Sequence, residues 1–344
     1  MGGGAAGVAT KIKSPAIGGA RVALSLMKAL LAAGLLGLAG TTVLAPDFPS
    51  GPIRIVVPYA AGGPSDTGTR LVQEPLSRQL GKPVVIENRG GGGGLNATEA
   101  YLKAEPDWHT LLVGAIGPLT IIPALKPVSY DVEKDIVPLT TVWRSAQVLA
   151  VRPTLGVKSV AEFVAYAKAN HNKVTIGSAG IGAVTHLAIE LLKREAGIEL
   201  IHVPFRSTSE SMPQLIGGQI DALFGDGPTI APQVNSGHIV ALAVAGPKRG
   251  RALPNVVTMS EAGYPGVEAE SWFGLAVSSK FPQPIVKQLQ SALDAAQKDP
   301  AYIESLAKQG ASAGEPGPES YAALIRTDAA KWKAVIKAAD IKAQ

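Results

Sequence analysis

Residues 175 to 192, TIGSAGIGAVTHLAIELL, read as a buried strand, a glycine-rich turn and a helix, with no charged side chain in the turn. The first N–H groups of a helix have no partner inside it, and its N-terminus carries roughly half a positive charge. Such a turn binds an anion without Lys or Arg. A second segment of this kind occurs where IRIVVPY (53 to 59) runs into AAGGPSD (60 to 66) and a helical pattern begins. Two such turns, far apart in the chain, predict a small acid bound between two lobes.

Strand-like apolar runs alternate with helical patterns along the chain, which predicts α/β architecture with largely parallel sheets. Strands are expected at 53–59, 84–88, 110–116, 148–152, 174–178, 199–205, 220–226, 239–246 and 272–279. Helices are expected at 67–80, 95–104, 159–170, 184–196, near 209–217 and 228–236, and at 284–297, 299–309 and 318–338. Ser159 and Glu162 form a capping box at one helix start. Pro75 lies inside the first helix, where we expect a bend or a break.

The last three helices have little strand between them, so we expect them to pack onto the first lobe. This makes lobe 1 discontinuous, comprising residues 46–150 and 271–344, with lobe 2 at 151–270. The chain crosses between the lobes near 148–152 and again near 268–276. A lobe inserted between two extended crossings is a hinge arrangement that closes on a ligand. The predicted architecture is therefore a two-lobed α/β fold with a cleft between the lobes.

Residues 27 to 45, MKALLAAGLLGLAGTTVLA, have the pattern of a cleavable secretory signal: a lysine, an apolar run and a small-residue exit. The apolar run is short for a bilayer span. We expect residues 1 to 45 to be removed from an exported, periplasmic protein. Residues 1 to 26 are either an extended leader or the product of a misplaced start codon, and we favour the second interpretation, with Met27 as the start.

Charge and composition exclude several classes of protein. The formal charge of +5 includes four basic residues and no acid within the leader, so the remaining chain is near 5 − 4 = +1. Neither a nucleic-acid groove nor a membrane-binding face is supported. The chain has no cysteine, which excludes disulfides and thiolate metal sites, and its five histidines have no metal-binding spacing. We expect no metal and no cofactor.

The first candidate site is loop 1, residues 60 to 66. Its glycines permit close backbone approach to a ligand, and Ser65 offers a hydroxyl. Asp66 has two interpretations: it caps the helix, or it points toward a water, an amide or an ammonium group of the ligand. With the preceding aromatic residue, the candidates here are Tyr59, Ala60, Gly62, Gly63, Ser65 and Asp66.

The second candidate site is loop 2, residues 178 to 186. A neutral His186 either donates to a carboxylate or packs against the sheet, and Thr185 either binds or caps. Asp226 ends a strand of the same lobe and is either near loop 2 or the cap of the next helix, which Pro228 would suit. The candidates here are Ser178, Gly180, Gly182, Thr185, His186 and Asp226.

Three other features bear on the cleft or on catalysis. RGGGGGLN (89 to 96) is more typical of a flexible loop than of a phosphate cradle. One of Trp272 and Phe273 is expected to face the cleft. A serine hydrolase would use Ser178 with His186 and Asp226, but no GxSxG elbow surrounds Ser178.

An NAD-dependent oxidoreductase is the other catalytic alternative. Loop 2 falls one glycine short of the dinucleotide fingerprint, because Thr185 stands at the third glycine position. The next strand ends in VPFR, where such sites place an acidic residue. We therefore expect no enzymatic activity.

The segments IRIVVPYAAGGPSD, LGKPVVIENRGGGGG, TIGSAGIGAVTHLAIELL, LIGGQIDALFGD and LPNVVTMSEAGYPGVEAESWFGLAV, in this order, resemble the Bug family of extracytoplasmic solute receptors. These are the binding components of tripartite tricarboxylate transporters, and the resemblance runs from about Phe48 to the end. It implies a two-lobed periplasmic receptor of the type II solute-binding fold, usually with an organic-acid ligand and without catalysis. Carried over, both loops would bind the ligand, loop 1 partly through waters. Ala183, where Thr or Ser is common, and Gly225, where Asp is usual, depart from the family pattern.

We therefore expect a monomeric periplasmic receptor that binds a small organic acid between two lobes. Its partner is expected to be the membrane permease of a tripartite tricarboxylate transporter. A receptor that feeds a sensor is the alternative within the same class.

Overall fold

A computed structural model describes residues 1–4, 6–7 and 48–342. The predicted signal segment at 27–45 and the alternative start at Met27 lie outside these residues. No helix in the described part is both long enough and apolar enough to cross a bilayer.

One half of the sheet is built from the first strands of the chain. Strands β1 (Ile53–Val57), β2 (Val84–Asn88) and β3 (Thr110–Ala115) are parallel, with β1 in the middle. Strand β9 (Glu270–Ser278) returns from the far end of the chain and pairs antiparallel with β3. The core strands are rich in Val, Ile and Leu because helices cover both faces.

The other half repeats this arrangement with later strands. Strand β5 (Thr175–Ser178) lies between β6 (Ile201–Pro204) and β7 (Ala222–Asp226), and all three are parallel. Strand β8 (Val240–Val244) completes this half. The predicted parallel pairing is therefore confirmed for β1, β2 and β3 and for β5, β6 and β7.

A single strand, β4 (Ile136–Val151), belongs to both halves. Its segment from Ile136 to Ala146 pairs antiparallel with β9, and its segment from Gln147 to Val151 pairs antiparallel with β7 and β8. Only 148–152 was expected as strand here, and the antiparallel pairings of β4 and β9 make the sheet mixed. The transition between the halves falls at Ala146 and Gln147.

Helices flank the strands at the predicted places, and two short helices that were not predicted, Ile122–Leu125 and Val132–Asp135, are added to them. Their bounds are α1 (Pro64–Leu80), α2 (Leu95–Lys103), α3 (Ile122–Leu125), α4 (Val132–Asp135), α5 (Val160–Ala169), α6 (Val184–Ala196), α7 (Thr208–Ile216), α8 (Gly227–Asn235), α9 (Gln283–Ala296), α10 (Pro300–Lys308) and α11 (Pro318–Ala338). A π-helical turn (Gly117–Ile121) leads into α3, and short 3₁₀ turns occupy Gly92–Gly94 and Pro153–Leu155.

The expected break at Pro75 does not occur, because helix α1 continues through it to Leu80. The C-cap residue Gly81 has the left-handed conformation. The helix is fixed against the sheet at Gly68, where an added Cβ would lie 2.9 Å from the Trp143 ring. The ring is buried, so the packing of α1 on β4 offsets the backbone hydrogen bond that Pro75 removes.

The C-terminal helices cover the first half of the sheet. Helices α9 and α10 pack on α1, and α11 packs on β4 and on the π-helical turn. The indole Nε1 of Trp272 on β9 donates to Asp328 Oδ2 of α11 at 2.7 Å. Helix α11 also contacts α6, so it spans both halves on one face of the sheet.

Candidate functional site

A cleft of about 830 Å³ is lined by residues from both halves of the sheet. From the first half, Tyr59, Ala60, Gly62, Gly63 and Ser65 line it as predicted. From the second half, Gly182, Thr185 and Asp226 line it. Loops 1 and 2 therefore line one cavity, although they lie more than a hundred residues apart in the sequence.

Helix α1 begins within loop 1, and its N-cap is Gly63. The backbone of Gly63 is extended, and no side chain caps the helix. The buried Asp66, third residue of the helix, turns its carboxylate back into the protein. Its Oδ2 accepts from the Gly62 amide at 2.9 Å and from Arg70 Nε at 2.9 Å. Its Oδ1 accepts from Asn88 Nδ2 at 3.1 Å. The Asp66 carboxylate thus stabilises loop 1 through the Gly62 amide, and it does not face the cavity.

The Asp66 carboxylate stays ionised in this setting. Burial raises its pKa, but hydrogen bonds from Arg70, Gly62 and Asn88, with the charge of Arg70, outweigh burial and hold the pKa below its usual value. The ion pair with Arg70 neutralises the carboxylate on the side away from the cavity. The negative charge of Asp66 is therefore balanced within the protein and does not face the cavity.

Loop 2 is built on the same plan as loop 1. The N-cap of α6 is Ala183, again extended and without a capping side chain. His186, the third residue of the helix, accepts from the Gly182 amide through Nδ1 at 3.1 Å. Gly62 and Gly182 occupy equivalent positions before the cap, with φ of 83° and 76°, a conformation that favours glycine.

The N-cap residue distinguishes these two helices from α5 and α7. In α5 and α7, too, the side chain of the third helical residue accepts from the amide of the residue that precedes the N-cap. Glu162 accepts from Lys158 N in α5, and Glu210 accepts from Arg206 N in α7. In these two helices, however, the side chain of the N-cap serine accepts from the amide of the third helical residue. Ser159 accepts from Glu162 N, as the capping box predicted, and Ser207 accepts from Glu210 N.

In α1 and α6 the equivalent amides remain open. Gly63 and Ala183 have no side-chain oxygen, so the amides of Asp66 and His186 have no hydrogen-bond partner within the described part of the chain. The same holds for the amides of Ser65 and Thr185, one position earlier. Each loop therefore presents free N–H donors at a helix N-terminus.

Two histidines support loop 2 from inside the lobe. The rings of His186 and His202 stack with centroids 4.0 Å apart, and His202 Nε2 lies 2.6 Å from Ser178 Oγ. Desolvation by burial, aided by the charge of Lys193, lowers the pKa of His186 to about 4. Burial, followed by the charge of His186, lowers the pKa of His202 to about 4, although Glu190 acts in the opposite direction. Both rings are therefore neutral at neutral pH.

Four predicted residues lie behind the cleft surface: Asp66, Ser178, Gly180 and His186 are absent from its lining among the described residues. The prediction placed them against the ligand, but the side chains of Asp66, Ser178 and His186 bond to other groups of the protein. The amide of Gly180 likewise donates to Ser178 Oγ at 3.1 Å. The hydrolase arrangement considered as an alternative does not form either. Ser178 is fully buried and bonds to His202, while His186 accepts from Gly182.

Asp226 forms a polar cluster on the cleft wall. It is the N-cap of α8, but its side chain makes no capping bond, contrary to the structural alternative considered for it. Its Oδ1 accepts from Gln147 Nε2 at 3.0 Å and from Ser271 Oγ at 3.1 Å, and its Oδ2 accepts from Thr208 Oγ1 at 3.2 Å. Sequence reasoning missed these three partners because no local motif links them.

The remaining wall of the cleft is largely apolar. Phe273 faces the cleft, whereas Trp272 is buried against Asp328, which settles the choice that the sequence left open. The π-helical turn and α3 contribute Ile121, Ile122 and Leu125. Exposed Lys126 and Arg206 lie at the cleft as well, and neither was predicted.

The glycine-rich segment after β2 also reaches the cleft. Gly92 and Gly93 line it within the 3₁₀ turn, and Gly94 packs on the Tyr59 ring, where a Cβ would lie 3.3 Å away. Burial raises the pKa of Tyr59, so its hydroxyl stays protonated at the cleft wall.

Two lobes that share one cleft, each offering an uncapped helix N-terminus, define the class of two-lobed α/β periplasmic solute-binding proteins. The match to the tripartite tricarboxylate transporter family receptors covers residues 69–341, and the chain belongs to this family. Among its relatives is BugT of Bordetella pertussis, 30% identical over 86% of this chain and 91% of BugT. The identification with Bug-type receptors is thereby confirmed.

Solved structures have the same fold. MatC from Rhodopseudomonas palustris with bound malate has a TM-score of 0.73 and 31% identity, covering 84% of this chain and 100% of MatC. The Rpa4515 protein of the same organism with adipate has a TM-score of 0.77 and 30% identity, covering 86% of this chain and 99% of that protein. The predicted fold class is confirmed by these neighbours.

Proposed function

We propose that this protein is a periplasmic receptor that binds a small organic acid in the cleft and delivers it to the permease of a tripartite tricarboxylate transporter. The observation that carries the proposal is the matched pair of open helix N-termini. In both α1 and α6 the N-cap residue, Gly63 or Ala183, lacks the oxygen that closes the same position in α5 and α7.

The open amides suit a carboxylate. An ionised carboxylate accepts several N–H bonds, and each hydrogen bond to a charged group contributes about 1.5 to 3 kcal/mol. A dissociation constant near micromolar corresponds to roughly 8 kcal/mol. A few such bonds from loops 1 and 2, with the apolar contact of the cleft wall, are sufficient for that affinity.

Bound ligands in two relatives agree with this chemistry. MatC holds malate and the Rpa4515 protein holds adipate, and both ligands are carboxylic acids. Here the ligand contacts would come from Tyr59, Ala60, Gly63 and Ser65 on one side, and from Gly182 and Thr185 on the other. Asp66, Ser178 and His186 hold the two loops in shape, and Asp226 contributes polar selectivity.

Closure around the ligand follows from the arrangement of the chain. We place lobe 1 at 46–150 with 271–344 and lobe 2 at 151–270, with the hinge in β4 and β9. A ligand shifts the open form toward the closed one only if it binds the closed form more tightly. A carboxylate that reaches both loops at once satisfies this condition, because the open form offers it one loop at a time. The closed form is the one presented to the permease.

A thermal-shift screen of the purified protein tests the binding step. A panel of small carboxylic acids, including malate and adipate, is compared with the corresponding uncharged diamides. An acid at a hundredfold its dissociation constant adds about 2.7 kcal/mol of stability, whereas its diamide adds none. A panel in which no acid raises the melting temperature would contradict the proposal.

The delivery step is tested in the host. Deletion of this gene is expected to abolish uptake of the radiolabelled acid found in the screen, and a plasmid copy is expected to restore it. Normal uptake in the deletion strain would favour a receptor that feeds a sensor.

A further inference from the structure

Asp226 is the one acidic side chain among the described residues that line the cleft. It ends β7, and its carboxylate makes no bond to the helix that it precedes. The donors that reach it, from Gln147, Ser271 and Thr208, are all neutral groups. Its negative charge therefore remains at the wall of a cleft that otherwise suits anions.

The neighbouring Gln147 is fully buried and has a further unmet acceptor. Its Nε2 donates to Asp226 and to Ser271 Oγ, both at 3.0 Å, while its Oε1 has no partner within the described part of the chain. The amide cannot be reversed, because its oxygen would then face the carboxylate. A buried acceptor without a donor is destabilising.

Gln147 lies behind the cleft lining, so of these two side chains Asp226 is the one that a ligand can reach. A carboxylate accepts about four hydrogen bonds, and Asp226 accepts three. With the open Gln147 Oε1 nearby, the cluster lacks hydrogen-bond donors, and a second negative group placed there would be repelled. A ligand that fills the cleft must bring a donor to this wall.

We propose that the bound acid carries a hydrogen-bond donor on its carbon chain, a hydroxyl or a protonated amine, and that Asp226 selects for it. The inference rests on the proposed function: loops 1 and 2 bind the carboxylate, and Asp226 binds the donor. Acids of the same length without the donor leave the remaining acceptor position of Asp226 unfilled and bind more weakly.

Isothermal titration calorimetry with two matched series tests the proposal: succinate, malate and aspartate, and propionate, lactate and alanine. Within at least one series the wild-type protein is expected to bind a donor-bearing acid about ten- to a hundredfold more tightly than the unsubstituted acid. Malate against aspartate, and lactate against alanine, distinguish a hydroxyl from an amine. In Asp226→Asn the ratio is expected to fall toward one.

The controls separate the possible failures. Glu304→Gln, an exposed change remote from the cleft, keeps the wild-type ratio. Asp226→Ser replaces Asp226→Asn if the latter does not fold. Equal binding with and without the donor, or an unchanged ratio in the Asp226 variants, would overturn this inference alone. Failure of the wild-type protein to bind any carboxylic acid would overturn the proposed function together with it.

Discussion

The imidazole rings of His186 and His202 lie face to face, with planes 8° apart. This stack is compatible with neutral rings, since two imidazolium ions at this distance repel each other. The neutral state also leaves Nδ1 of His186 free to accept from the Gly182 amide. The shape of loop 2 therefore depends on both rings remaining unprotonated.

The free energy of unfolding is expected to depend on pH through this pair. Burial holds both folded-state pKa values at about 4, below the unfolded value of about 6.5. As pH falls from about 6.5 to about 4, the unfolded state takes up protons that the folded state does not, so stability is lost across this window. Thermal melts at intervals from pH 7 to pH 4 measure the loss.

A variant isolates the contribution of the histidines from other titrating groups. His202→Gln removes one of the two groups that take up a proton in the unfolded state. Its melting temperature is therefore expected to fall less steeply between pH 6.5 and pH 4. The exposed change His238→Gln serves as the control and keeps the wild-type slope. Equal slopes in His202→Gln and wild type would contradict this account.

Gly63→Asp is expected to abolish binding of carboxylic acids while the protein becomes more stable. The extended backbone of Gly63 accepts a side chain, and an added Cβ would meet only Ala60 O at 3.7 Å. An aspartate at this N-cap would accept from the open amides, as Asp299 does in α10, and stabilise the helix by about 1 kcal/mol. Calorimetry and thermal melts measure the two effects.

Gly63→Ala is the matched control for this substitution. It adds a Cβ without an acceptor, so the amides of α1 stay open and affinity is expected to fall far less than in Gly63→Asp. Full affinity in Gly63→Asp would show that the amides of α1 do not bind the ligand.

Asp66→Asn is expected to lower stability by about 1 to 3 kcal/mol, because a buried group loses its ion pair with Arg70. The contribution of Asp66 is present above pH 4 and is lost as pH falls through its depressed folded pKa, so the variant and wild type converge in acid. Affinity changes little, since the carboxylate faces away from the cavity. Chemical denaturation at pH 7 and pH 3 measures the loss of stability and its pH dependence, and calorimetric titration measures the affinity.

Glu74→Gln on the same helix is the control for Asp66→Asn. Its ion pair with Arg78 is exposed, so its loss costs at most a few tenths of a kcal/mol. An Asp66→Asn protein as stable as Glu74→Gln at pH 7 would contradict the role given to Asp66.

Gly68→Ala is expected to destabilise the protein by about 1 to 3 kcal/mol although alanine favours helices. The added methyl group would lie 2.9 Å from the Trp143 ring, so α1 or the ring must shift. Gly51→Ala adds a Cβ with no atom within 4 Å and should be neutral. Thermal melts of both variants decide, and a Gly68→Ala protein as stable as wild type would contradict the packing argument.

The sequence was informative about elements that local rules govern. The expected helix 184–196 is observed as Val184–Ala196 and the expected 318–338 as Pro318–Ala338, because their apolar period and flanking glycines are local signals. Strand β4 was predicted only in its last part. Its first part, IVPLTTVWRS, contains a proline and lacks clean alternation, and it becomes a strand by pairing with distant β9.

The site shows the same division between local and distant signals. The two turns with open helix N-termini could be found because each is a contiguous strand, turn and helix. The pairing of Ser178 with His202 and the cluster around Asp226 could not, since they join residues that only the sheet order brings together. For Asp66 and His186 the sequence left a local role and a ligand-binding role open, because a side chain that bonds to a nearby backbone amide and one that faces a ligand look identical in sequence.

One strand serving both halves of the sheet limits how such receptors can be recombined. A chimaera that takes one lobe from this chain and the other from a relative must be joined within Ile136–Val151. The part of this strand before Gln147 pairs with β9, and the part from Gln147 on pairs with β7 and β8. Any exchange of specificity by lobe grafting therefore has to transfer the first part of β4, up to Ala146, together with β9.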